Sequence, residues 1–488
     1  MNILIDTNIF IPLETKNISE IEPETHLINE FYRKAKELEY HIFLLDQQVK
    51  DLENDKDFER KNARLLAFEK YEILKNVKIN QQVQEIFSNI KPKSHDEIDI
   101  ALLNVVYANA VSLLITNDEG VHKKAKKLGI EEKIYNLEEA LNFVNAHLVK
   151  TLKIDSKHPI INSDKCFNLD INDTFFDSLR NDYSNFNNWF KEKCQKEHRD
   201  CLIIRNENMI EGLCIYKFEE PIYGMHGKIL KICTFKLCSS GKKLGELLLK
   251  ILFQYCYNSS IDYLYVTAYE KNYICNFFRN FGFYEYHKRK EDSGELIFIK
   301  KMQPSNLCCE NVLDFNIKYG TKYYDINQNA FLIPIIYNYH AMLFPETETT
   351  LFPELDYAHS YSNAIRKAYI SKSNSNLLRA GDILFFYKTH SEGTIKTCGV
   401  IEKVCRSDNV DEILAITGQR TIYQYDDIEK MCMKERSLLI LLFRQTESLI
   451  KEIKLNDLIK LKLIKGVPQT ITKLSEEAKQ CILRQKPF

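Results

Sequence analysis

The sequence predicts an α/β multidomain chain. Its 488 residues exceed what one ordinary domain uses and suit about three. A 44% hydrophobic content with only 15 Gly and 11 Pro builds packed cores rather than a disordered or fibrous polymer. In residues 1–150, short β-like runs alternate with stretches of helical spacing, the order that makes a parallel sheet flanked by helices.

Taken in order, ILI (3–5), HIFLL (41–45) and SLLIT (112–116) read as strands, and 26–39, 47–74, 98–110 and 120–128 as helices. The polar stretch 151–172 reads as a first linker. Strands follow at 201–205, 210–217 and 229–238, then a helix at 242–257, a strand at 262–268, a helix at 271–280 and a strand at 295–300. Residues 303–311, with Pro304 and the Cys308-Cys309 pair, mark a second boundary. Beyond it, 331–337, 383–388, 395–405 and 438–443 are strand-like, with helices expected near 362–370 and 446–462. No internal repeat is visible.

The balance of 67 basic to 68 acidic side chains excludes a polycation that holds nucleic acid by charge alone. By segment the net charge is −6 over 1–150, +2 over 151–300 and +3 over 301–488, which suggests modules with separate tasks. No apolar run is long enough to span a bilayer, and no charged leader precedes an apolar stretch. The 14 cysteines start at Cys166 and include no Cys-x-x-Cys pair. The expectation is a cytoplasmic protein with reduced thiols and no membrane partner, without a disulfide framework or structural zinc.

Four carboxylates stand out in the first segment. Asp6 closes the first strand, Asp51 follows the second, Asp99 starts the helix IALLNVVYANA, and Asp118 ends Ile115-Thr116-Asn117-Asp118. In a parallel sheet such positions share the edge where ligands bind. Clustered carboxylates need a neutralising cation, and an all-oxygen set suits Mg²⁺ or Mn²⁺, the chemistry of phosphodiester hydrolysis. Each also has a structural reading: Asp6 and Asp118 as helix caps, Asp99 as a dipole partner, Asp51 as an exposed charge. With ITNDEGVHKKAKKLGI and EKIYNLEEAL, residues 1–148 resemble the PIN-domain ribonucleases. The resemblance implies a PIN-like α/β/α sheet with Asp6, Asp51, Asp99 and Asp118 as catalytic metal ligands. Glu53 or Asp46 are substitutes for Asp51, and Asn8, Thr116 and Asn117 supporting polar groups. Lys123, Lys124, Lys126 and Lys127 read as a solvated face, with RNA contact as the alternative.

The strand KILKICTFKL runs into Ser239-Ser240-Gly241-Lys242-Lys243-Leu244-Gly245 and the helix ELLLKILFQYC. A strand, small-residue turn and helix N-terminus make an anion site. With DYLYVTAYEKNYICNFFRNFGF and its Gly282-Phe283 turn, residues 165–303 resemble the GNAT acetyltransferases, α+β proteins that hold acetyl-CoA there. Residues 239–245 are then the cofactor-binding set. Phe278 falls where many members place a general-acid Tyr, and Phe has no proton to give. Tyr273, Cys275 or Tyr284 are the substitutes. The alternative is a retained scaffold.

In the third segment, the turn Arg379-Ala-Gly-Asp before ILFFY and the later GVIEKV make residues 312–488 resemble the small β-barrels of the PUA/ASCH class, which implies an RNA partner. Arg366, Lys367, Lys372 and Arg379, interleaved with Tyr361, Tyr369 and Tyr387, would supply phosphate contacts and stacking, unless the tyrosines pack the barrel. The combined expectation is a metal-dependent endoribonuclease acting on structured RNA such as tRNA, a toxin or defence factor with a possible antitoxin or regulatory protein. Its rival is an acetyltransferase that uses the first module for recognition.

Overall fold

The computed structural model describes residues 1–14, 24–75, 77–88, 95–151, 160–206, 209–238, 242–270, 272, 274–287, 289, 294–303, 312–319, 328–347, 359–389, 393–433, 437–446, 448–449 and 451–484. Its contacts divide it into two units.

The first unit holds Met1–Ile154, Lys271–Tyr273 and Asn409–Gly418. Strands β1 (Asn2–Ile5), β2 (His41–Leu45), β3 (Glu72–Leu74), β4 (Leu113–Ile115) and β5 (Ile134–Tyr135) form an all-parallel sheet in the order β3-β2-β1-β4-β5. Both faces are buried. Ile3 and Ile5 pack with Ile28, Phe31 and Phe143, while Leu4 points the other way onto Leu45, Leu102 and Val121. The predicted helix over 47–74 is two helices, Val49–Glu53 and Phe58–Phe68, followed by β3. A short helix from the far end of the sequence, Val410–Thr417, completes this unit against the helix Leu137–Thr151. Ala415 lies in the core, Asn142 donates to its carbonyl at 3.3 Å, and His147 lies 3.4 Å from Asp411. Gly418 ends that helix at φ +53°, where a Cβ would lie 2.4 Å from the Asn142 side chain, so only glycine fits.

The second unit carries two sheets. In the first, β6 (Ile160–Lys165), β7 (Asp200–Asn206), β8 (Met209–Glu219), β9 (Ile229–Leu237), β10 (Tyr263–Ala268), β11 (Tyr284–Glu285) and β12 (Leu296–Lys301) run in the order β11-β12-β10-β9-β8-β7-β6. All neighbours are antiparallel except β9 and β10. β6 lies inside the stretch expected to be linker. The helix Leu244–Asn258 covers one face with an almost wholly apolar first three turns. The other sheet has β13 (Ala330–Ile336), β14 (Arg366–Ser371), β15 (Ile383–Thr389), β16 (Thr394–Ser407), β17 (Leu438–Gln445), β18 (Ile453–Lys454) and β19 (Thr472–Lys473). Its order is β14-β17-β16-β15-β13-β19, with β18 on β16, and β13 and β15 are parallel. β14 corrects the helix expected over 362–370, and only Leu455–Lys460 of the expected 446–462 is helical.

Buried charges join these two sheets. Glu246, in the first turn of helix Leu244–Asn258, accepts from the backbone N–H of Ile365 (2.8 Å) and Arg366 (3.0 Å) and from Arg420 (2.9 Å). Arg366 and Arg444 meet Glu402, which a bulge in β16 sets apart from the regular pairing. Lys300 is enclosed, with Nζ donating to the carbonyls of Phe281, Ile317 and Lys318 at 2.8–3.0 Å. Burial, then the Arg444 charge, pushes that amine well below its ordinary pKa, and the three carbonyl oxygens around Nζ oppose this by favouring the form with three N–H donors.

Candidate functional site

In the second unit, β9 and β10 pair over only four positions, from Ile229↔Tyr263 to Ile232↔Val266. β9 continues to Leu237 and β10 to Ala268. The next residue, Cys233, is a bulge: Ile215 faces Thr234, Tyr216 faces Ile232, and nothing faces Cys233. A bulge bends its strand and adds twist, so the pairing of β9 with β10 stops there and both strands run on without pairing to each other. On the helical face Phe235 meets Phe277 and Phe278, with ring centres 5.8 and 5.5 Å apart. On the opposite face Tyr183 stacks on Tyr269 at 5.3 Å. Beside them the buried Glu295 accepts from Tyr183 Oη at 3.4 Å and Thr267 Oγ1 at 3.2 Å. Burial, then the Glu295 charge, pushes the Tyr183 phenol up. Lys236 reaches Ser178, and burial lowers its pKa.

Of the predicted cofactor residues, Ser239, Ser240 and Gly241 lie outside the described residues, as does Tyr273. Lys242 pairs with Glu211 at 3.1 Å, and its carbonyl accepts from Asn363 at 2.8 Å. Lys243 sits at φ +54° immediately before the helix. Gly245 faces inward, where a Cβ would lie 3.0 Å from Leu237 and 3.2 Å from Phe277. Close packing therefore explains this glycine. Phe278 is fully buried. Cys275 is buried too, its thiol pushed up to about 11 by burial and donating to Tyr269 O, and Tyr284 stands exposed on an edge strand. An acyl-CoA fits these groups in part: Lys243 immediately precedes a helix whose first-turn acid, Glu246, is already engaged by Ile365, Arg366 and Arg420, while Lys242 beside it is shared with Glu211.

In the first unit the strand order reverses between β1 and β4, which places a crevice between their C-terminal ends. Asp6 caps helix Thr7–Leu13, and its buried carboxylate accepts from Thr7 N–H (2.6 Å), Asn8 (2.9 Å) and Thr116 (2.6 Å). Burial raises its pKa to about 6, with Asp99 and Asp118 adding to the rise. Asp118 caps helix Glu119–Leu128 through Gly120 (2.6 Å) and Val121 (3.3 Å). Asp99 is raised by burial and by Asp118, against the pull of Lys124 at 2.6 Å. So Asp6, Asp99 and Asp118 feel one another, and the capping readings of Asp6 and Asp118 hold as well. Asp51 joins through Thr7 Oγ1 at 3.3 Å, while Glu53 is exposed. Asn8 links Asp6 to Thr116, and Asn117 bonds Leu137 N–H and Glu24. Sequence reasoning missed Gln48, which bonds Ile5 O and Thr7 Oγ1 from a buried position. Lys123, Lys126 and Lys127 are solvated as expected. Among the described residues, no three His, Cys, Asp or Glu side chains are placed to hold a metal ion together. As it stands, the arrangement gives the divalent cation implied by the resemblance no ready-made ligand set among the described residues.

In the third sheet the predicted RNA contacts separate. Lys367 is 0% exposed and donates to the carbonyls of Tyr361 (2.6 Å) and Ser362 (3.1 Å), so it is not available to a phosphate. Arg366 pairs with Glu402 at 2.8 Å. Lys372 and Arg379 are exposed. Tyr361 and Tyr387 are buried packing residues. A cavity of about 940 Å³ opens instead beside β13, β14 and β15, lined among others by Tyr339, Tyr369, Tyr423, Lys372, Lys388 and Lys430.

No family model and no curated protein matches the sequence. Solved structures similar to part of it include an ASCH protein from Zymomonas mobilis, at 12% identity over 32% of this chain and 94% of that one, TM-score 0.24. Others are FeeM, an N-acyl amino acid synthase from uncultured soil microbes (10%, 30% and 90%, 0.23), and a PaiA N-acetyltransferase from Thermoplasma acidophilum in complex with coenzyme A (17%, 29% and 99%, 0.22). Scores at this level assign neither fold nor function. No helix among the described residues is long and apolar enough to cross a membrane, and the described cysteines are free thiols.

Proposed function

We propose that residues 165–303 form a GNAT-like acyl-CoA-binding module that transfers an acyl group to an amine. The observation that carries this reading is the parting of β9 from β10 at the Cys233 bulge, with a helix N-terminus following at the open end. An acyl-CoA would supply an acyl carbon activated as a thioester. Lys242, Lys243 and the helix dipole would hold its diphosphate, and Phe235, Leu237 and Phe277 would line the apolar arm. Glu295, oriented by Tyr183 and Thr267, is the group placed to accept the amine's proton. Phe278 leaves the departing thiolate without a side-chain acid, so transfer is slow. The test is calorimetric titration with acetyl-CoA of the wild type and of Lys243→Glu. Binding by the first, weakened roughly tenfold or more in the second, supports the module; no binding by the wild type rejects it.

A second reading, favoured by the mutual influence of Asp6, Asp99 and Asp118 at a topological switch point, is a PIN-like endoribonuclease in residues 1–148. End mapping of total RNA incubated with the protein and Mn²⁺, beside Asp6→Asn, tests it; cleavage equal in both rejects it. Residues 312–488 would then present RNA through the tyrosine- and lysine-lined cavity rather than through Arg366 and Lys367. A cytoplasmic location and a protein antitoxin belong to this second reading.

A further inference from the structure

Helix Glu119–Leu128 has four lysines, and one of them turns inward. Lys124 Nζ lies 2.5 Å from Asp96 Oδ1 and 2.6 Å from Asp99 Oδ2, with the side chain only 17% exposed. Gly120, one turn earlier, leaves room for this approach: a Cβ there would lie 2.8 Å from Asp118 Oδ1 and 3.8 Å from Lys124 Nζ. The ammonium therefore borders the space that Asp118 faces as well as holding Asp99.

We infer that Lys124 is the resident counter-cation of this carboxylate cluster, and that a divalent cation enters only by displacing its ammonium from Asp99. Two observations join here. Among the described residues no three carboxylates are placed to hold one ion, and both Asp6 oxygens and Asp118 Oδ1 already accept hydrogen bonds from Thr7, Asn8, Thr116, Gly120 and Val121. The charge that a metal would neutralise is already partly neutralised by a tethered side chain, which needs no second ligand sphere. A divalent ion beside the ammonium would meet like-charge repulsion at a few ångströms. The inference rests on the carboxylate cluster of the second reading and is independent of acyl transfer.

The test measures Mn²⁺ binding by the loss of the free-ion electron paramagnetic resonance signal, on the full chain. Lys124→Met should bind one Mn²⁺ at least roughly tenfold more tightly than the wild type, the minimum expected on removing a unit charge so close to a divalent ion. Lys124→Gln serves the same purpose if the methionine variant melts early. Adding Asp99→Asn to either should return binding to the wild-type level. Wild-type protein that binds one Mn²⁺ as tightly as both Lys124 variants overturns the inference, as does a gain that survives Asp99→Asn. A gain in Mn²⁺ binding without RNA cleavage would keep the counter-cation and discard the nuclease, so the two ideas fail separately.

Discussion

Glu246→Gln would remove one charge from the buried network that joins helix Leu244–Asn258 to β14. In the wild type both carboxylate oxygens are used, by Arg420 and by two backbone N–H groups. Glutamine keeps one acceptor oxygen and loses the charge, leaving Arg420, 5% exposed, with the Arg366 carbonyl as its remaining acceptor in this network. Removing one member of a buried pair costs about 3–5 kcal/mol. For a unit of this size that is a fall on the order of 10 °C in Tm. Arg420→Met in the same chain should recover part of the loss, because it removes the stranded charge. The acid limb should change as well. Burial would raise the Glu246 carboxyl, but Arg420, Lys243 and Arg366 hold it at about 2. Its stabilisation is therefore complete above the ordinary carboxylate range and lost as pH falls toward 2, so the glutamine variant should lose stability less steeply on acidification. Differential scanning calorimetry between pH 3 and 7, with hydrogen exchange at Ile365 and Arg366, reads all of this. A Glu246→Gln protein that melts within about 1 °C of wild type, or a double variant whose losses simply add, would refute the argument.

Three more outcomes are expected. The Asp6 carboxyl, raised to about 6 chiefly by burial, favours the protonated form in the fold, so its contribution is present below pH 4 and lost as pH rises through 6. Asp6→Asn should flatten that decline in urea midpoints, and an unchanged slope would place the titration elsewhere. Phe278→Tyr would supply the missing proton donor beside Phe235 and should raise CoA release by on the order of a hundredfold, while costing about 1–3 kcal/mol for a buried hydroxyl; turnover that does not move clears Phe278 of limiting the rate. Gly282→Ala would set a Cβ 1.8 Å from Ile317 O at φ +77°, so it should destabilise by at least about 2 kcal/mol, and a neutral melting curve would contradict the packing described around Lys300.

The strands β1, β2 and β4 were legible because each is a short run that is apolar after at most one polar first residue and is bounded by polar turns, the signature of a strand covered on both faces. Asp6 and Asp118 were legible because each caps the helix that follows its strand, whereas Asp99, expected to start a helix, lies one turn inside helix His95–Tyr107. Lys124 was not: four lysines on one helix look alike until the fold decides which turn meets Asp99. β14 was misread as helix because Lys367, a lysine at a buried position, breaks the alternation that marks a strand. Glu246 and Arg420 stand 174 positions apart and carry no pattern that links them. Tyr183, Thr267 and Glu295 are likewise joined only by the path of the chain. Their isolation in sequence is why the group around Glu295 escaped notice.

The short helix Val410–Thr417 sets a timetable for synthesis. Residues 1–154 emerge first, but the partner that covers Asn142 and supplies Ala415 to their core is encoded at 409–418, some 255 positions later. At about 5–20 residues per second, the ribosome needs roughly 13–50 s to cover that distance. During this interval the face of helix Leu137–Thr151 that receives Ala415 is without its cover, and the earliest part of the chain to appear is among the last to be finished. The amino-terminal sheet thus waits on the carboxy-terminal third of its own message, and a ribosome that stalls between the two leaves an incomplete core in view of chaperones and proteases.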